Sequence, residues 1–284
     1  MENFVRFALA AVLASFVMAD DSNAGSIESV SFHSDVLNRD YSYLVYLPEG
    51  YDVDRKAPYP TVYLLHGSFV TAEMWTEGLG VEQKLDALIR NDDIPPTVIV
   101  MPNSESWWID GRNEAAETAF FNELVPHVEK RWHVSDARKD RFVGGISAGG
   151  FGTVNFVLKR PEMFAAGVAL SPASYEDLPP EDSSSYQHPA FVDDKGDFDS
   201  ALWRSVNYPA LIDQYRAQDI VVPLYINSGD HDYLDIAYHA AVLYQKLRDH
   251  QPEHVELRII DGDHELDVWD TTFDEAMQFM LQTR

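Results

Sequence analysis

The sequence predicts an α/β fold: a mostly parallel eight-stranded sheet with helices on both faces and a lid-like insertion. Two observations carry that expectation. Short apolar, β-branched runs alternate with amphipathic stretches of ten or more residues, the pattern of parallel βαβ units. The later runs are also nearly continuous in apolar residues, as required of strands covered by helices on both faces. The first two strands, "IESVSFH" (27–33) and "YSYLVYLP" (41–48), have no helix between them and are expected as an antiparallel edge. "YPTVYLLHG" (59–67) leads to a helix at 79–90, and "PTVIVMPN" (96–103) to one at 115–132. "DRFVGGI" (140–146) is followed by a helix at 148–160, then by the strand "FAAGVALSP" (164–172). "VPLYINSGD" (222–230), a helix at 233–249, "HVELRIIDG" (254–262) and a helix at 266–282 complete the series. Residues 173–208 break the rhythm with Pro179, Pro180, a serine run and many acids. A connection of that length is usually functional or disordered. Tyr175, Tyr186, Phe191, Phe198, Trp203 and Tyr208 argue that it packs over one end of the sheet as a lid.

Bulk properties narrow the function. Lys plus Arg number 21 against 47 Asp plus Glu, a formal net charge of −26. Such a field repels nucleic acid and anionic membranes, so neither is an expected partner. Cysteine is absent, which excludes disulfides, thiolate metal sites and a cysteine nucleophile. The acids at 176–199 read as a solvated face, and the expectation is that neither a metal nor a cofactor is needed. Residues 1–24 carry Arg6, an apolar run at 7–19 and then small and polar residues, the layout of a signal peptide cut after Ala19 or Ala24. The expected mature chain, 25–284, is one domain without a membrane span, secreted or periplasmic. Nothing in the sequence specifies an oligomeric state.

Five of the 15 glycines fall in "RFVGGISAGGFG" (141–152) around one serine, Ser147. Glycine costs conformational entropy wherever it is placed, so a cluster calls for a geometric reason. Gly145-Ile146-Ser147-Ala148-Gly149 is a G-x-S-x-G at a strand-to-helix turn, where strand and helix pass too closely for side chains. Such a turn lifts the hydroxyl off the sheet and aims the first helical amides, Ala148 N–H above all, at a developing oxyanion. A serine hydroxyl needs a base, and the base an orienting acid, in the chain order serine, acid, histidine. His33, His66, His127 and His133 precede Ser147; His188 lies in the insertion; His239, His250 and His254 lie in or beside the helix at 233–249. His264 remains, directly after the last strand. Asp232 is the first choice for the acid and Asp230 the second, either being equally able to cap a helix. Ser68, after the third strand in "LLHGS", is the expected second oxyanion donor.

With these residues in place, the chain from about residue 27 onward resembles the esterase branch of the α/β-hydrolases. That branch contains feruloyl esterases, S-formylglutathione hydrolases, enterochelin-esterase-like enzymes and mycolyltransferases. "YLLHGS", "MPNSESWWID", "FFNELVPHVEKRW", "GGISAGGFG", "SGDHDYL" and "DGDHELDVW" carry the resemblance. It implies an α/β-hydrolase fold with Ser147 as nucleophile, Asp232 as acid and His264 as base. It also implies that Trp107 and Trp108, after Ser106, stand beside the substrate, and that Glu117 has a supporting role. The loop after Gly67 lacks further glycines found in relatives, and the expected export speaks against cytosolic formylglutathione hydrolysis. The leading expectation is a serine carboxylesterase acting on small-molecule or polysaccharide-linked esters, such as aromatic acyl or sugar esters. An acyltransferase using the same triad, or a non-catalytic binding module on this fold, are the alternatives.

Overall fold

A computed structural model describes residues 24–282. The expected leader therefore lies, but for its last residue, outside the described residues. One sheet organises the chain: β1 (Ser26–Ser34), β2 (Arg39–Leu47), β3 (Thr61–Leu65), β4 (Val98–Pro102), β5 (Arg141–Ile146), β6 (Gly167–Leu170), β7 (Leu224–Gly229) and β8 (Val255–Ile260). Its order is β1-β2-β4-β3-β5-β6-β7-β8. β1, β2 and β4 pair antiparallel, and every pairing from β4 through β3 to β8 is parallel. The helices are α1 (Val81–Arg90), α2 (Ala116–Ala119), α3 (Val125–Arg131), α4 (Ala148–Lys159), α5 (Ser200–Val206), α6 (Ile212–Arg216), α7 (Ile236–Arg248) and α8 (Leu266–Gln282).

Successive strand residues point to opposite faces, and both faces are covered. Tyr63, Leu65, Val98, Val100 and Val143 pack with Phe120, Phe156, Leu243 and Leu247, the layer built by α2, α3, α4 and α7. Val62, Leu64, Ile99, Met101 and Phe142 pack with Leu85, Leu88, Phe273 and Met277, the layer of α1 and α8. Each large apolar side chain so buried contributes about 1.5–3 kcal/mol. The helix expected at 115–132 forms with an interruption: a π-helical turn, Phe120–Leu124, separates α2 from α3. The extra residue per turn buries both Phe120 and Phe121, which pack on Phe156 at ring distances of 4.7 and 4.8 Å.

The insertion builds a third, smaller core over the carboxyl end of the sheet. Trp203 on α5 stacks on Phe151 of α4 at 5.3 Å and meets Trp107 at 6.0 Å, with Tyr175 and Phe191 buried around them. The Trp203 indole N–H donates to Asp177 O, and Arg204 grips the Asp177 carboxylate from 2.7 Å. Only its stretch around Asp182 and Ser184 reaches the cleft described below.

Candidate active site

Ser147 joins β5 to α4 with φ 56° and ψ −113°, a conformation that costs a non-glycine residue about 1–3 kcal/mol. Backbone bonds hold it there. Ser147 N–H donates to Leu170 O at 2.8 Å, and its carbonyl accepts from Phe151 N–H at 2.9 Å and Ala173 N–H at 3.1 Å. The flanking glycines are explained by contact: a β-carbon at 145 would lie 2.3 Å from Gly149 O, and one at 149 would lie 2.0 Å from Leu65 O. No side chain fits either position.

His264, between β8 and α8, brings Nε2 to 2.9 Å from Ser147 Oγ and Nδ1 to 2.8 Å from Asp232 Oδ2. Asp232 follows β7 and its side chain is fully buried; Oδ1 accepts Leu234 N–H at 3.0 Å. A buried carboxylate needs such partners, and a Nδ1–H donated to it leaves Nε2 free to accept the serine proton. Asp230 is not at the imidazole: its Oδ1 accepts Gly262 N–H at 3.2 Å.

The loop after β3 lies against the serine, since a β-carbon on Gly67 would stand 3.6 Å from Ser147 Cβ. Among the described residues, the amides of Ser68 and Ala148 have no hydrogen-bond acceptor. Around them is a cleft of about 260 Å³ lined by Val70, Met74, Ser147, Tyr233, His264 and Trp269, among others.

The tryptophans depart from expectation. Trp107 and Trp108 are each 1% exposed and neither lines this cleft. The physical reason is that their indole N–H groups are engaged below it. Trp107 donates to Ser68 Oγ at 3.0 Å and Trp108 to His66 O at 3.1 Å, so both hold the β3 loop. Glu117 reaches across to Lys159 at 2.5 Å, tying α2 to the end of α4.

Chain order also passed over His66. Its Nε2 accepts Ser104 N–H at 3.0 Å and its Nδ1 sits 2.7 Å from Gly67 O, so the ring bridges two loops through both nitrogens. Burial pushes its pKa down to about 4, which keeps it neutral and able to accept. Glu114 in turn accepts from Glu105 N–H at 2.8 Å and pairs with Arg39 at 2.6 Å, steadying the loop that meets His66. The motif "LLHG" was the signal for His66; nothing local marks Glu114. Among the described residues, Asp230, His231 and Asp261 are the one group whose ligand atoms gather within 4.8 Å in a metal-like cluster, and all three are exposed.

A family profile described as "Putative esterase" matches residues 34–280. The chain belongs to this family. An endo-1,4-β-xylanase/feruloyl esterase of Xylanibacter ruminicola is 30% identical over 164 residues, 55% of this chain. The matched region spans 23% of that protein's length, so the chain corresponds to a minor part of it. An acetyl esterase of Caldicellulosiruptor saccharolyticus is 23% identical over 271 residues, covering 90% of this chain and 98% of its own. A ferulic acid esterase of known structure superposes with TM-score 0.78 at 24% identity, covering 93% of this chain and 100% of the other. A fluorophosphonate-binding serine hydrolase of Staphylococcus aureus does so with TM-score 0.74 at 23% identity, covering 91% and 99%. These solved structures share the α/β-hydrolase fold. Among the described residues, no helix is long and apolar enough to cross a membrane.

Proposed function

We propose that this chain is a serine carboxylesterase working through Ser147, His264 and Asp232 by an acyl-enzyme. The observation that carries the reading is the imidazole of His264, bonded on one side to Ser147 Oγ at 2.9 Å and on the other to Asp232 at 2.8 Å. Ser147 Oγ attacks the ester carbonyl while its proton passes to His264 Nε2. The tetrahedral oxyanion accepts from the Ser68 and Ala148 amides, whose preorganisation is worth about 10²–10³ in rate per donor. His264 then protonates the departing alkoxide, leaving acyl-Ser147. A water molecule attacks that ester with His264 again as base, and the carboxylic acid leaves with Ser147 restored. Asp232 holds the ring and stabilises the imidazolium without taking its proton.

The favoured substrate is a neutral ester with a bulky or aromatic acyl group, free or linked to a sugar. In support, Tyr233 and Trp269 line the cleft, a relative carries a feruloyl esterase name, and the net charge of −26 disfavours polyanions. Export of the chain after removal of residues 1–24 belongs to the same reading, and amino-terminal sequencing of the protein from the culture medium tests it. Ser147→Ala is expected to lower hydrolysis of p-nitrophenyl acetate by more than about 10³-fold with the fold intact. Hydrolysis at the parent rate would refute the assignment. An added alcohol or sugar acceptor separates hydrolase from transferase: free acid as the sole product marks hydrolysis.

A further inference from the structure

Asp232 and His264 stand on two different loops, and some part of the protein must keep those loops in step. β7 and β8 run parallel, and their register ends at the pair Gly229↔Ile260. Beyond it the chains part, one toward α7 and the other toward α8. Two backbone bonds extend the pairing slightly: Asp230 N–H donates to Ile260 O at 2.8 Å and His231 N–H to Gly262 O at 2.9 Å. The backbones touch there, since a β-carbon on Gly229 would lie 2.3 Å from Gly262 O.

Past that point the link is made by carboxylates. Asp263 Oδ1 accepts Tyr233 N–H at 3.0 Å, across the gap, and His264 N–H at 2.7 Å, within its own loop. One oxygen atom thus joins the amide after Asp232 to the amide of His264. In the opposite sense Asp230, on the acid's loop, accepts Gly262 N–H at 3.2 Å on the base's loop. The His264 and Tyr233 amides hold the Asp263 carboxyl below its ordinary range, so it is ionised and acts as an acceptor. Asp261, on the same loop, is 99% exposed in its side chain and faces His231 at 3.9 Å.

We propose that Asp263 is a positioning residue of the hydrolytic site: its carboxylate, assisted by that of Asp230, clasps the β7–α7 loop to the β8–α8 loop and sets His264 against Asp232. The proposal rests on the Ser147–His264–Asp232 reading given above. Loss of the clasp frees the His264 main chain to drift, and a displacement of about 1 Å at a reacting group can cost about 10²-fold. Of the cleft walls, Val70, Met74 and Trp269 make no bond to it, and Tyr233 is held through its main-chain amide alone.

The test compares wild type with Asp263→Ala, Asp263→Asn, Asp230→Ala, Asp261→Ala and Ser147→Ala on p-nitrophenyl acetate. Asp263→Ala is expected to lower kcat by about 10- to 10²-fold with KM within about twofold and thermal midpoint nearly unchanged. Asp263→Asn keeps an oxygen acceptor at the same place and should recover most of kcat. Asp230→Ala should lose less, and Asp261→Ala nothing. Unchanged kcat in Asp263→Ala, or equal damage in Asp263→Asn, overturns the clasp. So does a loss of kcat, KM and thermal midpoint together that Asp263→Asn shares. Ser147→Ala keeps the two ideas separate. If it is inactive while Asp263→Ala is normal, the clasp alone fails; if it is active, the underlying assignment fails and the clasp with it.

Discussion

His66 offers a quantitative test of how the oxyanion loop is held. An unfolded histidine has a pKa near 6.5, whereas burial pushes folded His66 down to about 4. Between those values the unfolded chain binds a proton that the folded chain refuses, so stability falls as pH falls. The contribution of neutral His66 is fully present above about pH 6.5 and is lost on the way down to about pH 4. Integrated from about pH 7.5 to about pH 5.5, the difference is on the order of 1 kcal/mol. Staying above the sequence pI of about 4.5 keeps the protein negatively charged and soluble. His66→Gln removes the titrating ring and cannot serve Gly67 O and Ser104 N–H in the same geometry. At about pH 7.5 it should cost about 1–3 kcal/mol for the unpaired groups. It should also lower kcat by up to about 10²-fold as the Ser68 amide drifts from the oxyanion. The assay is urea unfolding of wild type and variant at both pH values, with kcat measured alongside. Wild type should lose on the order of 1 kcal/mol more than the variant on acidification. Equal losses in the two proteins would refute the account.

Two further outcomes are expected. Asp232→Asn should reduce kcat by about 10⁴-fold, through loss of the tautomer that presents Nε2 to Ser147; steady-state kinetics read this directly, and a mild effect would return the acid's role to another residue. Trp203→Ala should cost about 3–5 kcal/mol by opening a cavity among Phe151, Trp107 and Phe191, measured as a lowered thermal midpoint; an unchanged midpoint would mean that the insertion does not share the core.

Much of the architecture is local and therefore legible in the chain. Each of the eight strands overlaps an apolar run, and the antiparallel edge follows from the missing helix between β1 and β2. The π-turn at Phe120–Leu124 was not legible, because it answers the packing of two adjacent phenylalanines against Phe156 on another helix. The site divides in the same way. Ser147 is marked by a local G-x-S-x-G pattern, although the clearance at Gly149 is set by Leu65 on β3, whereas the family resemblance places Trp107 and Trp108 beside the substrate and the structure buries both.

By itself, then, the sequence determined the alternation of strand and helix, the glycine-flanked turn at Ser147 and the stations where an acid and a histidine can follow. Side-chain period and turn conformation act over a few residues, so composition at neighbouring positions suffices to specify them. Tertiary structure alone decided that Asp232 and not Asp230 meets His264, that His66 braces the Ser68 loop, and that two tryptophans turn inward. Those choices depend on ångström-scale distances between loops that only the closed sheet brings together, across a chain separation of 117 residues for His264 and Ser147.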